Sequence, residues 1–491
     1  MTAKKDKKQA TITQEDNLLD NIISKSRIRS DEHKARAKDL IGEMVGQIMD
    51  GTMTVSKDLI KTLEARIAEI DKLMSDQMNE IMHHEDFQKL EGSWRGLHYL
   101  VDKSETSTTL KLRVLNCSKK DMIKDFKVST EFDQSALFKK IYEEEYGVFG
   151  GAPFGAIIGD YEFDASPQDM YLLNEVSHVA AASHAPFFSA ASPDMFQLDS
   201  FTELQNPRDL AKIFDTVEYA KWQSFRESED SRYVGLTMPR VLGRLPYGEK
   251  NEPVEAFSYE EDVDGRDHNK YLWTNAAYSI GARLTDAFAK YGWCAAIRGV
   301  EGGGLVEDLP THTYYTDDGE VVMKCPAEVA IPDRREKELA DLGFIPLIHC
   351  KGTDYAAFFG AQSCQKPKEY NTDAATANAR LSAQMQYIMA TSRIAHYLKA
   401  ITRDKIGSFA SRGNVEDYLN SWISQYVLTD DNASQAAKAK YPLREARIDV
   451  SEIPGKPGCY RSVAYLRPHF QLDELSVSLR LVADLPQSAQ S

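Results

Sequence analysis

The residues best placed to bind a metal are His84 and Glu85, which begin like the helical zinc-binding sequence H-E-x-x-H. That sequence needs a second histidine four positions later, so that both imidazoles project from one face of the helix. Position 88 is Gln88, and we therefore expect no zinc site here. His178 and His184 are six residues apart, a spacing that does not place them on one helical face. We expect them to be core or surface residues.

Other sequence motifs also fail to predict chemistry. Gly302, Gly303 and Gly304 follow a strand-like run, as a phosphate-binding loop would, but the Lys-Ser or Lys-Thr that contacts phosphate and Mg²⁺ is missing. A tight turn is the better interpretation. The cysteines at positions 117, 294, 325, 350, 364 and 459 contain no C-x-x-C pair, so neither a thiolate metal site nor a redox motif is indicated. We expect no catalytic residues, metal or cofactor, although a pair of carboxylates assembled in space stays open.

Length, charge and hydropathy together argue against several classes of protein. A chain of 491 residues exceeds the roughly 250–300 residues of a single hydrophobic core, which predicts more than one domain. The net charge of −16 argues against binding to nucleic acid or to an anionic membrane. No run approaches the ~18 apolar residues of a membrane helix, and the lysine-rich N-terminus lacks the apolar run of a secretory signal. These features predict a cytoplasmic protein.

The order of strand-like and helical patterns predicts an α+β fold of long helices and mixed sheets. We expect three regions: an N-terminal arm (1–54), a main domain (55–370) and a C-terminal domain (371–491). The expected strands are 109–116, 155–158, 294–300, 321–324 and 344–349. The expected helices are 35–49, 56–83, 86–104, 135–146, 167–183, 207–218, 269–291, 333–342, 371–405 and 415–427. The acidic segment 249–264 is expected to be a solvated loop.

The sharpest helical pattern lies between Asp86 and Ser104. Its apolar side chains follow a spacing of 4, 3 and 4 residues, which aligns them on one stripe of a helix: Leu90, Trp94, Leu97 and Val101. Asp86 is a suitable N-cap. Aromatic stripes at helical spacing usually pack inside their own domain, so the pattern favours a core helix anchored by Trp94.

The preceding helix, from Ser56 to about His83, carries a second apolar stripe. Its members have the spacing of a coiled-coil seam: Ile60, Leu63, Ile67, Ile70, Met74 and Ile81. Packing within the chain and binding to a partner helix both fit this pattern. Its place after a loose N-terminal arm favours a partner.

Two strand-like segments near the ends of the chain have no neighbouring hairpin partner. Residues 18–29 include Ile22, Ile23 and Ile28, and residues 474–482 alternate with Leu475, Val477, Leu479 and Leu481 on one face. Each must find its strand partner at a distance. A local basic cluster on this acidic chain consists of Lys438, Lys440, Arg444 and Arg447.

Several of these segments resemble one family. The string W-R-G-L-x-Y-L-V, from Trp94 to Val101, is similar to a signature of the large sheath subunit of type VI secretion systems, called TssC, VipB, ImpC or EvpB. Further similar segments cover nearly the whole chain from about residue 55: YEFDASPQDM (161–170), FSYEED (257–262), RGVEGGGLV (298–306), YAAFF (355–359), RIAHYLKAITRDKIGSF (393–409) and PGKPGCYRSVAYLRPHFQLDEL (454–475).

The resemblance implies a structural protein without catalytic residues. In this family the large subunit pairs with a small subunit, TssB or VipA, and the heterodimers polymerise as a contractile sheath around a tube of Hcp. Baseplate components are further partners, and the ATPase ClpV acts through the small subunit. On this interpretation the seam from Ile60 to Ile81 binds the small subunit, the two terminal strands link neighbouring subunits, and the basic cluster faces the tube.

Two other classes of function stay open at this point. One is an α/β enzyme with an unrecognised active site, and the other is a scaffold that binds helices without polymerising. A deep polar pocket on a monomer would favour the enzyme, whereas hollow tubules formed with a small partner would favour the sheath.

Overall fold

The computed structural model describes residues 31–49, 59–206, 209–405, 411–454 and 460–471. The chain forms two compact units. One unit takes in the described residues up to Glu80 together with Tyr247–Asp262, and the other comprises the described residues of Ile81–Pro246 and those from Val263 onward. The helices and mixed sheets described below confirm the α+β class. The boundaries expected between the N-terminal arm, the main domain and the C-terminal domain, at residues 54 and 370, stay a prediction.

The helices are numbered along the described chain. They are α1 (Asp31–Met49), α2 (Leu59–Met82), α3 (Glu85–Asp102), α4 (Lys119–Val128), α5 (Ala136–Phe138, continued by a π-helix over Lys139–Tyr146), α6 (Pro167–Ser183), α7 (Leu210–Phe214), α8 (Ala220–Glu227), α9 (Ala277–Tyr291), α10 (Asp333–Asp341), α11 (Asp373–Ser382), α12 (Met385–Asp404), α13 (Arg412–Ser424) and α14 (Gln435–Lys440).

The strands follow the same order. They are β1 (Ile157–Phe163), β2 (Phe187–Ala191), β3 (Val234–Met238), β4 (Val241–Leu242), β5 (Trp273–Thr274), β6 (Leu305–Val306), β7 (Thr313–Tyr315), β8 (Val321–Met323), β9 (Phe344–His349), β10 (Ala356–Phe358), β11 (Leu443–Glu452) and β12 (Tyr460–Pro468).

In the first unit, the acidic segment packs on α2. The side-chain oxygen of Asn79 accepts hydrogen bonds from the Tyr259 hydroxyl (2.9 Å) and the Asp262 amide (3.3 Å). Tyr259 is buried, as is Glu261, whose carboxylate accepts from the Tyr247 amide at 2.8 Å. The prediction of a solvated loop is therefore wrong for this part of the segment, because tyrosines separated along the chain provide apolar contact that a count of charges does not reveal.

The second unit is built on a six-stranded mixed sheet of order β1-β2-β3-β9-β10-β6. The first four strands are parallel, and β10 pairs antiparallel with both β9 and β6. Side chains of β9 alternate between two hydrophobic clusters, with Phe344 and Ile348 in one and Ile345 and Leu347 in the other. The sheet thus separates two cores, and the larger one is rich in aromatic rings, such as the stacked Trp222 and Phe344.

A smaller third cluster organises the C-terminal part of this unit. Strands β11 and β12 pair antiparallel over Leu443–Glu452 and Tyr460–Pro468. The inner face of β11, through Ile448 and Val450, packs with Leu419 and Ile423 of α13. A two-stranded ribbon is marginally stable alone, so the packing of this helix is what holds the hairpin in place.

Helix α3 packs through its small residues, against expectation. Gly92, Gly96 and Leu100 are buried, whereas Leu90, Trp94 and Val101 are exposed. A Cβ atom on Gly96 would lie 2.3 Å from the Tyr278 ring, and one on Gly92 would lie 2.9 Å from the Trp273 carbonyl oxygen. The prediction of a core helix anchored by Trp94 is wrong, because the absence of side chains on the other face permits closer backbone approach. Leu97 is half-buried.

Local signals located most of the described helices but few of the strands. Residues 109–116 and 294–300 are not strands, because no partner strand lies beside them in the described chain. The long helix expected over 371–405 is broken at Ala383–Gln384, where the residue Gln384 bridges to Gln362. Helix α9 begins only at Ala277, and His84, not Asp86, caps α3 by accepting from the Asp86 amide. The predictions for 167–183 and 344–349 are confirmed.

Replacing Gly96 with alanine should lower the free energy of unfolding by about 1–3 kcal/mol, since the new methyl group must displace the Tyr278 ring. Denaturant unfolding of the full chain, followed by tryptophan fluorescence, measures this change. Gly42→Ala is the matched helical control, because a Cβ there meets nothing within 4 Å and alanine favours the helix. Equal midpoints for Gly96→Ala and the unsubstituted chain would contradict the close packing.

Candidate protein–protein interface

The exposed stripe of α3 lies on a helix that is firmly anchored on its other side. Glu91 accepts from Arg244 and from Arg95, each at 2.7 Å. The Arg244 side chain is only 4% exposed, so this ion pair is shielded from water. Gln88 donates to the Asn269 carbonyl at 2.9 Å. These contacts fix the orientation of Trp94, which is 66% exposed beside Leu90 and Val101.

The α2 stripe is also exposed within the described structure. Leu63, Ile67, Ile70, Met74 and Ile81 all present large apolar side chains to solvent, and Leu73 adds to them. The side chain of Ile60 lies outside the described residues. The buried position Ser75 is about a third of a turn from the stripe, where its hydroxyl accepts from the Glu260 amide at 3.4 Å.

Contiguous exposed apolar surface of this kind is typical of protein–protein contact sites. Sequence periodicity found the members of both stripes but assigned the α3 stripe to the core. The two glycines four residues apart, Gly92 and Gly96, were the signal that could have corrected this assignment, because such spacing allows close packing on one helical face.

The β11–β12 hairpin offers a different kind of surface. One edge is supported by Asn420, whose side chain donates to the Ile448 carbonyl (2.8 Å) and accepts from the Ile448 amide (2.9 Å). Among the described residues, β12 has β11 as its single strand partner. The other edge of β12 thus presents backbone donors and acceptors to which a further strand can add. Asn420 was not identified from the sequence.

The basic cluster consists of Arg444 and Arg447 in β11 and of Lys438 and Lys440 in α14. Carboxylates or carbonyl groups already contact most of these side chains. Lys438 donates to the Asp431 carbonyl at 2.7 Å, and Arg444 pairs with the Asp431 carboxylate at 2.7 Å. Arg447 binds the Asp449 carboxylate through two hydrogen bonds. Lys440 lies 5.9 Å from the centre of the Tyr441 ring. The net positive field of the cluster is therefore smaller than the sequence suggests, and its contact with a tube stays a prediction.

The two terminal strand segments lie outside the described residues. This applies to Ile22, Ile23 and Ile28 at one end and to Leu475, Val477, Leu479 and Leu481 at the other. Their role as links between subunits stays a prediction.

The residues considered for chemistry occupy structural positions. His178 hydrogen-bonds Asp230 at 2.7 Å on the side of α6, and His184 ends that helix in a left-handed conformation. Gly303 has φ of 91°, and Gly304 donates to the Gly299 carbonyl, which confirms the tight turn. Across the described ranges, no group of three or more His, Cys, Asp or Glu side chains is arranged to bind a metal.

His396 is a buried histidine held neutral by its surroundings. Its Nε2 lies 2.8 Å from the Ser183 carbonyl and donates to it, while the buried Nδ1 has no hydrogen-bond partner among the described residues. Burial, opposed in part by this hydrogen bond and aided by nearby Arg393 and Lys399, lowers the pKa of His396 to about 4. Burial likewise lowers the pKa of His184.

Acidification should therefore destabilise the chain. As pH falls below 6.5, His396 binds a proton in the unfolded chain but stays neutral in the folded one. The free energy of unfolding should decrease between pH 6.5 and about 4, by up to about 3 kcal/mol from this residue. His396→Gln, which can still donate to Ser183, should flatten the dependence in denaturant titrations, and the exposed control His33→Gln should keep it. Identical slopes for both variants would contradict this assignment.

Comparisons with known proteins agree on one family over both parts of the chain. Residues 64–365 match the family described as "EvpB/VC_A0108, tail sheath N-terminal domain", and residues 374–485 match "EvpB/VC_A0108, tail sheath gpW/gp25-like domain". The chain is 51% identical over 487 residues to the type VI secretion system sheath protein TssC1 of Pseudomonas aeruginosa, covering 98% of each chain.

Two solved structures show weaker similarity. They are a baseplate chain of the anti-feeding prophage (TM-score 0.35, 10% identity, 66% of this chain and 70% of the other) and its contracted helical sheath (TM-score 0.28, 11% identity, 62% and 66%). Within the described residues, every helix is too short or too polar to cross a membrane.

Proposed function

Because this chain belongs to the EvpB/VipB tail sheath family of type VI secretion systems, we propose that it is the large subunit of a contractile sheath. In this proposal it pairs with the small sheath subunit, and the heterodimers polymerise around an Hcp tube. Contraction of the polymer then propels the tube. Baseplate components bind the end of the polymer, and ClpV acts through the small subunit. The family name describes a structural sheath protein.

The exposed stripes of α2 and α3 provide the main structural support. Burying one large apolar side chain stabilises a complex by about 1.5–3 kcal/mol. The α2 stripe alone offers Ile67, Ile70 and Met74 to a partner. We assign this stripe, from Ile60 to Ile81, to the small subunit, since a helical partner matches its seam-like spacing.

The edge of β12 that has no strand partner within the described ranges supports the proposed polymerisation. A strand from a neighbouring subunit that adds there satisfies backbone groups without requiring a matching side-chain surface. We propose that the segments 18–29 and 474–482 supply such strands. Tethers of this kind can hold subunits together while their folded bodies move relative to one another.

Co-expression of the chain with its small partner, followed by electron microscopy, tests the proposed function. We expect hollow tubules with a regular helical surface. A stable heterodimer that never polymerises at any protein concentration would support the scaffold alternative and contradict the sheath.

Ile67→Asp and Ile70→Asp should abolish co-purification of the small subunit, since each buries an unpaired carboxylate in the complex. The matched control is Lys72→Asp, a charge change on the opposite side of α2. Affinity co-purification measures the loss, and circular dichroism checks that α2 stays folded. Undiminished capture by both isoleucine variants would rule out this interface.

Deletion of residues 474–491 should leave the heterodimer intact but prevent tubule formation, because a linking strand is lost. Size-exclusion chromatography and electron microscopy of the co-expressed pair separate these two stages. A deletion that removes only the polar end, 484–491, serves as the control. Normal tubules from the longer deletion would refute the linking role.

The proposed contact of Lys438, Lys440, Arg444 and Arg447 with the tube is tested by co-expressing the chain with both the small subunit and Hcp, with the unsubstituted chain as the control that encloses a tube. Changing Arg444 and Arg447 to glutamate together should give sheaths that assemble but lack the inner tube. Full tubes inside the variant sheaths would exclude this contact.

A further inference from the structure

An extended segment between α3 and α4 has unpaired backbone. Residues 111–116, with the sequence KLRVLN, form no helix or strand, and no hydrogen bond to their amide or carbonyl groups occurs among the described residues. Leu110 is buried and Leu112 packs against the cluster of Leu100 and Tyr278, so one side of the segment is held in place. Backbone that is extended, anchored and unpaired is a template for a further strand.

A cavity opens beside this segment. Its volume is about 250 Å³, and residues 108–113 and 152–156 form parts of its wall. Apolar side chains line much of the rest, among them Leu284, Phe288 and Met389. The cavity has room for apolar side chains of an added strand, and such pockets for alternate side chains give specificity to strand addition.

The charge around the cavity is positive. Arg393 lines it, has no carboxylate partner among the described residues, and its buried Nε has no hydrogen-bond acceptor there. Lys111 is exposed at the rim, and Arg113 pairs with Glu145. None of the described lining residues is acidic. A ligand with carboxylates therefore meets complementary charge.

We propose that residues 111–116 accept a β-strand from a different polypeptide, an extended segment that alternates acidic and apolar residues. Its backbone pairs with residues 111–116, its apolar side chains enter the cavity, and its carboxylates, on the opposite face of the strand, lie beside the exposed Lys111.

The terminal segments of this chain are poor candidates for the same position. Segment 18–29 carries Lys25, Arg27 and Arg29 at alternate positions, which would bring positive charge to a positive surface. Segment 474–482 carries one acid, Glu474, and one base, Arg480, on its polar face, so it offers no net negative charge. The site is distinct from the free edge of β12, and it accepts a strand whether or not the chain polymerises.

Hydrogen–deuterium exchange of the full chain tests the proposal, with two synthetic blocked ten-residue peptides as probes. One alternates valine with glutamate and the other alternates valine with lysine. The amides of residues 111–116 should exchange rapidly in the chain alone and at least tenfold more slowly with the glutamate peptide at low salt. Protection without peptide, which would indicate a strand from the chain itself, overturns the proposal. So does equal protection by both peptides, or by neither.

Two proline variants give an internal control. Consecutive residues of an extended segment point their N–H groups to opposite edges, and Val114 and Leu115 are both exposed, so proline at either position removes one donor without loss of packing. Fluorescence anisotropy with labelled glutamate peptide should show at least tenfold weaker binding for either Val114→Pro or Leu115→Pro and near-normal binding for the other. Equal affinities for both variants contradict strand addition at this edge.

Discussion

The close approach of α3 to the aromatic ring of Tyr278 is the contact on which the rest of the proposed interface depends. Gly96 faces the Tyr278 ring and Gly92 faces the Trp273 carbonyl, at distances that no larger residue permits. Because of this packing, the side of α3 that carries the glycines is buried in the core. The stripe of Leu90, Trp94 and Val101 is thereby directed to solvent.

Polar contacts reinforce the same division. The shielded pair between Glu91 and Arg244 resists rotation of α3 about its axis, because rotation would leave a buried charge unpaired. In the C-terminal part, Asn420 similarly supports one edge of the β11–β12 hairpin, and the other edge of β12 has no strand partner among the described residues. Both arrangements hold an exposed surface in a fixed orientation, and a surface fixed in this way loses less entropy on association.

Three surfaces suited to protein contact thus have different physical characters. The stripes on α2 and α3 offer apolar area; among the described residues, one edge of β12 and the backbone of residues 111–116 beside a positively charged cavity have no hydrogen-bond partner. Apolar surfaces suit a stable pairing of subunits. Strand edges suit links that tolerate movement, since backbone hydrogen bonds depend little on the neighbouring side chains.

Local pattern alone determined the α+β class and many elements, including the α6 and β9 boundaries, because N-caps, helical periodicity and β-branched runs act over a few residues. It also identified most of the exposed apolar residues on α2 and α3, and family resemblance led to the proposed function, which no motif indicated. Tertiary structure decided which face of α3 is buried, that residues 109–116 have no strand partner among the described residues, and where the charges of Arg444 and Arg447 are neutralised. Those outcomes depend on residues distant in sequence, such as Tyr278, Arg244 and Asp431, whose approach only the folded chain establishes.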